Sequence, residues 1–349
     1  MSAKRPSRRR SGWWAAAALC VLSPAFSAQP SPGITEIDSV AMTVGDMDRA
    51  VEFYSRVLTF EKVSEHEVSG DAYEHLWGLF GVRVHEVRMK LGEEQIELLQ
   101  FLAPSGRPIP IDSRSNDRWF QHVAVIVSDM RAAYARLLGF KVTHASSGPQ
   151  RLPEWNPNAG GIEAFYFRDP DGHNLEILAF PPGKGLQKWH AHSDGRLFLG
   201  IDHTAIVVSD TEKSLRFYRD LLGMRLVGSS ENYGTEQEHL NNVFGAHLRI
   251  TALRAAKGPG VEFLEYLTPP GGRTAPLDTE PADLWYWQIN MCTPGSAAVE
   301  ASLRAAHAPL VSTRVDLPDA TLGWQSGLIA RDPDGHASLI GEATRCTKT

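Results

Sequence analysis

The residues that invite a chemical reading are acids and imidazoles set in apolar runs. Glu97 lies in IELLQF (residues 96–101) and Glu176 in LEILAF (residues 175–180). A carboxylate on the buried face of such a strand needs a cation, a hydrogen-bond network or a metal. On the opposite face it is a solvated strand residue, and alternation alone leaves both readings open. His122 and His203 open the apolar runs HVAVIV and HTAIVV. An imidazole there is either a hydrogen-bonded core residue or a metal ligand. The sequence has no GxSxG elbow, phosphate-cradling loop, GxGxxG turn or CxxC pair. That points away from serine-hydrolase, nucleotide, dinucleotide and zinc-finger chemistry.

The elements that carry these residues repeat. IDSVAMTVGDMDRAVEFYSRVL (37–58) returns as IDHTAIVVSDTEKSLRFYRDLL (201–222), an offset of 164 residues without a gap. A second pair begins at DRWFQH (117–122) and DLWYWQ (283–288) and ends on RDPDGH (168–173 and 331–336). The chain therefore holds four related units, two in each half. Each unit opens with a β-branched strand such as His203–Val208. Asp210 then sits where a helix N-cap belongs, before Leu215, Phe217, Tyr218, Leu221 and Leu222 on helical spacing. Three short strands follow, and in the second and fourth units a DPDG turn joins the last two.

This organisation predicts domains at 33–183 and 199–342, a Pro/Gly-rich linker at 184–198 and a tail at 343–349. Residues 1–32 read as a secretory signal peptide. Five basic residues precede the apolar stretch Trp13–Phe26, too short to span a bilayer, and small residues at Ala25–Ala28 suit cleavage. Removing the five takes 35 basic residues to 30 against 41 acidic, a net charge of −11. That charge opposes nucleic-acid and anionic-membrane binding. The expected location is secreted or periplasmic, with no membrane contact after cleavage. Cys292 and Cys346 remain, read as one buried thiol and one loose one, with a disulfide as the alternative. Oligomeric state is left open.

The DxxxSLxFYxxxLG run (210–223), its weaker match at 46–59, the two RDPDGH turns and HVAVIVSD resemble the vicinal oxygen chelate superfamily, the group of glyoxalases, bleomycin-resistance proteins and extradiol dioxygenases. The resemblance covers nearly all of residues 34–342. It implies an α+β fold in which four βαβββ units pair into two cupped mixed sheets, a tandem duplication of a glyoxalase-like bidomain. It also implies metal ligands early in each unit's first strand and in its last strand. In the first half those positions read Ser39, Glu97, His122 and Glu176. In the second they read His203, Glu262, Gln288 and Ser338. Neither half is complete. The preferred centre is Glu97, His122 and Glu176, holding a divalent ion such as Zn, Ni, Mn or Fe, with Glu176 as the proton-transferring residue. His203, Glu262 and Gln288 form a second candidate.

The implied activity is that of a metal-dependent isomerase, epimerase or lyase on a small molecule with vicinal oxygens. The alternative is a metal-free protein that sequesters a small ligand, favoured by the departures at Ser39, Gln288 and Ser338. Trp155 and Trp287 are candidate substrate-lining aromatics. Extradiol ring cleavage is disfavoured unless ligands come from both halves, because neither half offers two histidines. Trp155–Gly161 reads as either a lid or a surface connection. His173 and His336 read as structural parts of their turns.

Overall fold

A computed structural model describes residues 1–2, 33–191, 195–270, 272–317 and 320–347. The expected signal peptide, residues 1–32, lies almost wholly outside them. The first unit is β1 (Glu36–Thr43), α1 (Met47–Arg56), β2 (Glu61–Ser69), α2 (Asp71–Trp77), β3 (Arg83–Leu91) and β4 (Glu94–Ala103). The second is β5 (Gln121–Val127), α3 (Met130–Gly139), β6 (Thr143–His144), β7 (Gln150–Arg151), β8 (Glu163–Arg168) and β9 (Asn174–Ala179). The third is β10 (Phe198–Val208), α4 (Thr211–Leu215) continuing as a π-helical turn, β11 (Arg225–Tyr233), α5 (Thr235–Asn241), β12 (His247–Arg254) and β13 (Gly260–Thr268). The fourth is β14 (Trp287–Cys292), α6 (Ser296–Ala305), β15 (Val315–Asp316), β16 (Ser326–Arg331) and β17 (Ala337–Glu342). Asp46, Asp129 and Asp210 cap α1, α3 and α4, each side chain accepting an N–H three residues on.

The strands form two mixed, cupped sheets, as expected, but each sheet is built across the halves. One runs β15-β16-β17-β14-β1-β4-β3-β2 and so joins units one and four. The other runs β11-β12-β13-β10-β5-β9-β8-β6 and joins units two and three. The central seams are antiparallel, β1 against β14 and β5 against β10. The two units of one half meet instead through the helix-bearing faces. Val40, Met42 and Tyr54 pack in one core with Val125, Phe165 and Ile177, and Ile206 and Phe263 pack with Ile289 and Leu328.

The RDPDGH turns hold this back-to-back packing. Asp169 accepts three backbone N–H bonds from its own turn, faces His173 Nδ1 at 2.8 Å and receives the Tyr54 hydroxyl of the first unit at 3.2 Å. His173 Nε2 reaches the carbonyl of Leu284 at 2.7 Å. Asp332, His336 and Tyr218 repeat the arrangement in the second half. The motif histidines are therefore structural, as their place in a turn implies.

Two loops carry the chain from one sheet to the other, and they clasp each other. Arg107 binds Asp283 (2.9 and 2.7 Å) and lies over Trp285, while Arg273 binds Asp117 (3.0 and 2.7 Å) and lies over Trp119. The expected free thiols are instead one disulfide, Cys292–Cys346, because the tail folds back beside β14. Arg345 of that tail reaches Asp38 at 2.6 Å and covers Trp324.

Asp169 is fully enclosed and serves five donors, so Asp169→Ala leaves several buried groups unpaired. The expected loss is roughly 2–4 kcal/mol of stability, read from urea unfolding curves, with Asp332→Ala costing a similar amount.

Candidate metal centre

The seam between β5 and β10 places two histidines side by side. His122 stands opposite Ala205, and His203 opposite Ala124. The parallel neighbours put Glu176 beside Ala124 and Glu262 beside Ala205. Side chains two apart on a strand share a face, so all four functional groups project into the same cup. His122 Nε2 is 3.2 Å from Glu176 Oε2, and His203 Nε2 is 3.6 Å from that oxygen and 3.4 Å from Glu262 Oε2. One ligand atom from each of His122, Glu176 and His203 lies within 4.8 Å of the others.

The sequence had divided these residues differently. Glu97, expected beside His122 and Glu176, sits on β4 of the other sheet, where it accepts from Ser39 Oγ at 2.9 Å and pairs with Arg88. Its place is taken by His203 and Glu262, which had been assigned to the second set with Gln288. Gln288 lies in the other cup, bonded to Asn290 and Tyr286. The register also corrects the fourth position of that cup. Leu339, not Ser338, pairs with Asn290 as Glu176 pairs with Ala124, and Ser338 faces the helix side. A one-residue slip in a strand reverses the face.

That other cup offers one carboxylate and no imidazole at its ligand positions, and its charge is already balanced. Arg88 pairs with Glu97 and with Asp38 at 2.9 Å, while Arg345 holds Asp38 from the far side. In the repeat, Arg88 corresponds to Ala252, which faces Glu262 as Arg88 faces Glu97. A guanidinium thus stands where the metal-type cup keeps open space.

The four-residue cup fits a divalent ion. His122 is 1% exposed; its Nδ1 has no hydrogen-bond partner, and its Nε2 stands 3.2 Å from Glu176 Oε2 without hydrogen-bond geometry. A buried ring so poorly paired is costly unless a ligand completes it. His203 Nδ1 is held by Asp202 at 3.1 Å, which turns Nε2 toward the glutamates. Asp202 is itself fixed by Trp189 Nε1 (2.9 Å) and Arg254 (2.8 Å). Trp189 belongs to the expected linker, yet it is buried.

Burial opposes charge on His203, but Glu262, Asp202 and Glu176 outweigh it and push its pKa up to about 9. Burial raises Glu262, partly offset by His203. Tyr166, opposite Glu176 on β8 with its ring 4.9 Å from His122, is raised well above the usual phenol range by burial and the nearby carboxylates, and remains an O–H donor.

The centre forms the floor of a cavity of about 460 Å³. Its walls mix Leu178, Leu240 and Leu264 with the polar groups of Asn232, Gln237 and Arg254. The Trp155–Gly161 loop roofs it. Asn158 Nδ2 donates to Ser229 O (2.7 Å) and Asn156 Nδ2 to Asn232 Oδ1 (2.8 Å), tying the loop to β11 of the other half. Trp155, expected to line the cleft, turns outward and packs on Tyr233 at 4.4 Å. Trp287, the other expected lining residue, lies in the back core edge-on to His173.

The sequence profile of the glyoxalase/bleomycin resistance protein/dioxygenase superfamily matches residues 36–177 and again 200–338. The chain belongs to that superfamily. Its curated relatives include a 2-epi-5-epi-valiolone epimerase from Actinomyces sp, 29% identical over 162 residues, which are 45% of this chain and 86% of the epimerase. A lactoylglutathione lyase from Arabidopsis thaliana is 23% identical over 194 residues, 55% of this chain and 56% of that enzyme. Among solved structures, glyoxalase I from Zea mays superposes with a TM-score of 0.56 at 15% identity, covering 88% of this chain and 92% of that one. A putative dioxygenase from Bacillus subtilis gives 0.55 at 14% identity, covering 90% and 87%. At such identities the structural likeness speaks for the fold.

Because the His203 pKa lies near 9 in the ion-free cluster, its proton is present at neutral pH and must leave when an ion binds. Apparent affinity for Mn(II) is expected to climb by about one decade per pH unit from pH 7 and to level off above the His203 pKa. Calorimetric titrations across that range, in buffers of different ionisation enthalpy, measure both the slope and the released proton.

Proposed function

We propose that the protein is a metal-dependent enzyme of the isomerase, epimerase or lyase type, acting on a small molecule with two neighbouring oxygens. The observation that carries this is the convergence of His122, Glu176, His203 and Glu262 at the floor of one cavity. Two imidazoles and two carboxylates suit Zn, Ni, Mn or Fe(II). A bound ion of this kind polarises a carbonyl and stabilises the charge that develops when the adjacent carbon loses a proton.

The chain's own groups divide the remaining work. Glu176 lies between both imidazoles and acts as a ligand rather than as the proton carrier first assigned to it. Glu262 keeps 23% of its side chain exposed toward the cavity, and burial raises its pKa toward the range useful for proton transfer. It is the residue that takes and returns the substrate proton. Tyr166, beside Glu176 on the next strand, supplies an O–H to a substrate oxygen.

The metal-free binding alternative rested on Ser39, Gln288 and Ser338, none of which lies in this cavity. A dioxygenase reading has one observation behind it. His122, His203 and Glu176 alone form a two-histidine, one-carboxylate set, with ligands from both halves. The disulfide supports the proposal that the mature chain works outside the cytoplasm.

Metal analysis and turnover of point variants test these assignments. One ion per chain is expected in the wild type and in Glu97→Gln, and none in His122→Ala or His203→Ala. Glu262→Gln is expected to keep the ion and lose at least about 100-fold in turnover. Oxygen uptake by the Fe(II) form with a catechol, retained in Glu262→Gln, would establish the dioxygenase reading instead. An ion lost in Glu97→Gln but kept in His203→Ala would overturn the proposed centre.

A further inference from the structure

The two cups use the same positions for different chemistry. In the first, Tyr73 and Trp77 of α2 stack at 5.9 Å, and Trp77 meets Phe101 of β4 edge-on at 5.6 Å. These rings fill the concave face. The repeat puts Gln237 and Asn241 of α5 and Tyr266 of β13 at the corresponding places. Three large aromatics have become two amides and a phenol, and Gln237 lies on the wall of the metal-type cavity.

The trio is buried, with Gln237 at 2% and Asn241 at 1% exposure. Helix α5 is pinned across the halves, Ser146 Oγ donating to Leu240 O at 2.6 Å and the Ser147 N–H to His239 O at 3.1 Å. Gln237 Nε2 donates to Asn241 Oδ1, which leaves Gln237 Oε1, Asn241 Nδ2 and the Tyr266 hydroxyl without partners. Three buried orphans in one cluster are costly. The nitrogen and oxygen of an amide occupy equivalent outlines. Asn241 adjoins the Tyr266 hydroxyl; with both amides turned end for end, Asn241 Nδ2 can donate to Gln237 Oε1 while Asn241 Oδ1 accepts from the Tyr266 hydroxyl. One polar atom is then left over, the Gln237 Nε2 donor at the cavity wall.

Resting on the reading of this cavity as the substrate chamber, we infer that Gln237 contacts substrate, and that Asn241 and Tyr266 position its N–H toward an uncharged oxygen outside the pair that reaches the metal. A hydroxyl or carbonyl oxygen suits it. An anion is not matched, because Arg254, the one Lys or Arg side chain on the cavity wall among the described residues, is engaged by Asp202. The substrate class is therefore a neutral vicinal oxygen compound with a further hydroxyl or carbonyl, carried on an apolar frame that suits the leucine-lined walls.

Kojic acid and allomaltol test this. Both chelate a metal through the same two vicinal oxygens, and they differ only by a hydroxymethyl against a methyl group across the ring. Binding of each to Mn(II)-loaded protein is measured by calorimetry. The wild type is expected to prefer kojic acid by about tenfold, the worth of one hydrogen bond to a buried donor. Gln237→Leu and the closer-shaped Gln237→Met should equalise the two compounds, and Tyr266→Phe should narrow the gap. No preference in the wild type, or a preference that survives both Gln237 variants, overturns the inference. Failure of both compounds to bind the Mn(II)-loaded wild type would instead sink the substrate-chamber reading, and this inference with it.

Discussion

A carboxylate enclosed in a sheet must face positive charge, and the two cups of this protein meet that demand in different ways. In one, Arg88 lies among Asp38, Glu86 and Glu97, and the tail's Arg345 adds a second guanidinium. The cup is then closed by Trp77, Tyr286 and Trp324, which pack as an ordinary core. In the other, Ala252 takes the place of the arginine. Among the described residues, the positive charge beside Glu176 and Glu262 comes from the two imidazoles, and burying two carboxylates on so little positive charge is unfavourable until a cation arrives. The difference between a filled core and a metal-type cavity thus traces largely to which side chain faces one glutamate.

The cavity depends on how far apart in sequence its parts originate. His122 and Glu176 come from the first half, His203 and Glu262 from the second. The seam between β5 and β10 sets the spacing of the imidazoles through backbone register, not through side-chain adjustment. Register is rigid because a slip by one residue would turn every side chain to the wrong face. The crossed arginine–aspartate clasps hold the two sheets in fixed relation, and Asp202 fixes the His203 imidazole.

Much of the architecture was legible in the residues themselves. The 164-residue offset, the DxxxSLxFYxxxLG runs and the RDPDGH turns record local structure: an N-cap, a helix face and a tight turn. Such signals survive in a linear reading because they depend on neighbours in sequence. His122, Glu176, His203 and Glu262 were all named, each on the strand that carries it. Their grouping was not legible. Period-two alternation shows that a strand has two faces but says nothing about which distant strand lies beside it, so Glu97 was placed with His122 although the two lie on different sheets. Ser338 was read for Leu339 although the 163-residue offset between the RDPDGH turns already sets Leu339 against Glu176. The burial of Trp189 and the pairing of Cys292 with Cys346 likewise depend on contacts that no local pattern encodes.

Strand exchange between the halves has a further consequence for ancestry. A single half, standing alone, could build these cups only by associating with an identical copy, and symmetry would then have made both cups the same. Joining the copies into one polypeptide breaks that equivalence. Once the two sheets are encoded separately, a substitution such as alanine to arginine opposite one glutamate alters one cup and leaves its twin untouched. The chain can therefore keep one chamber open and give the other over to holding the molecule together.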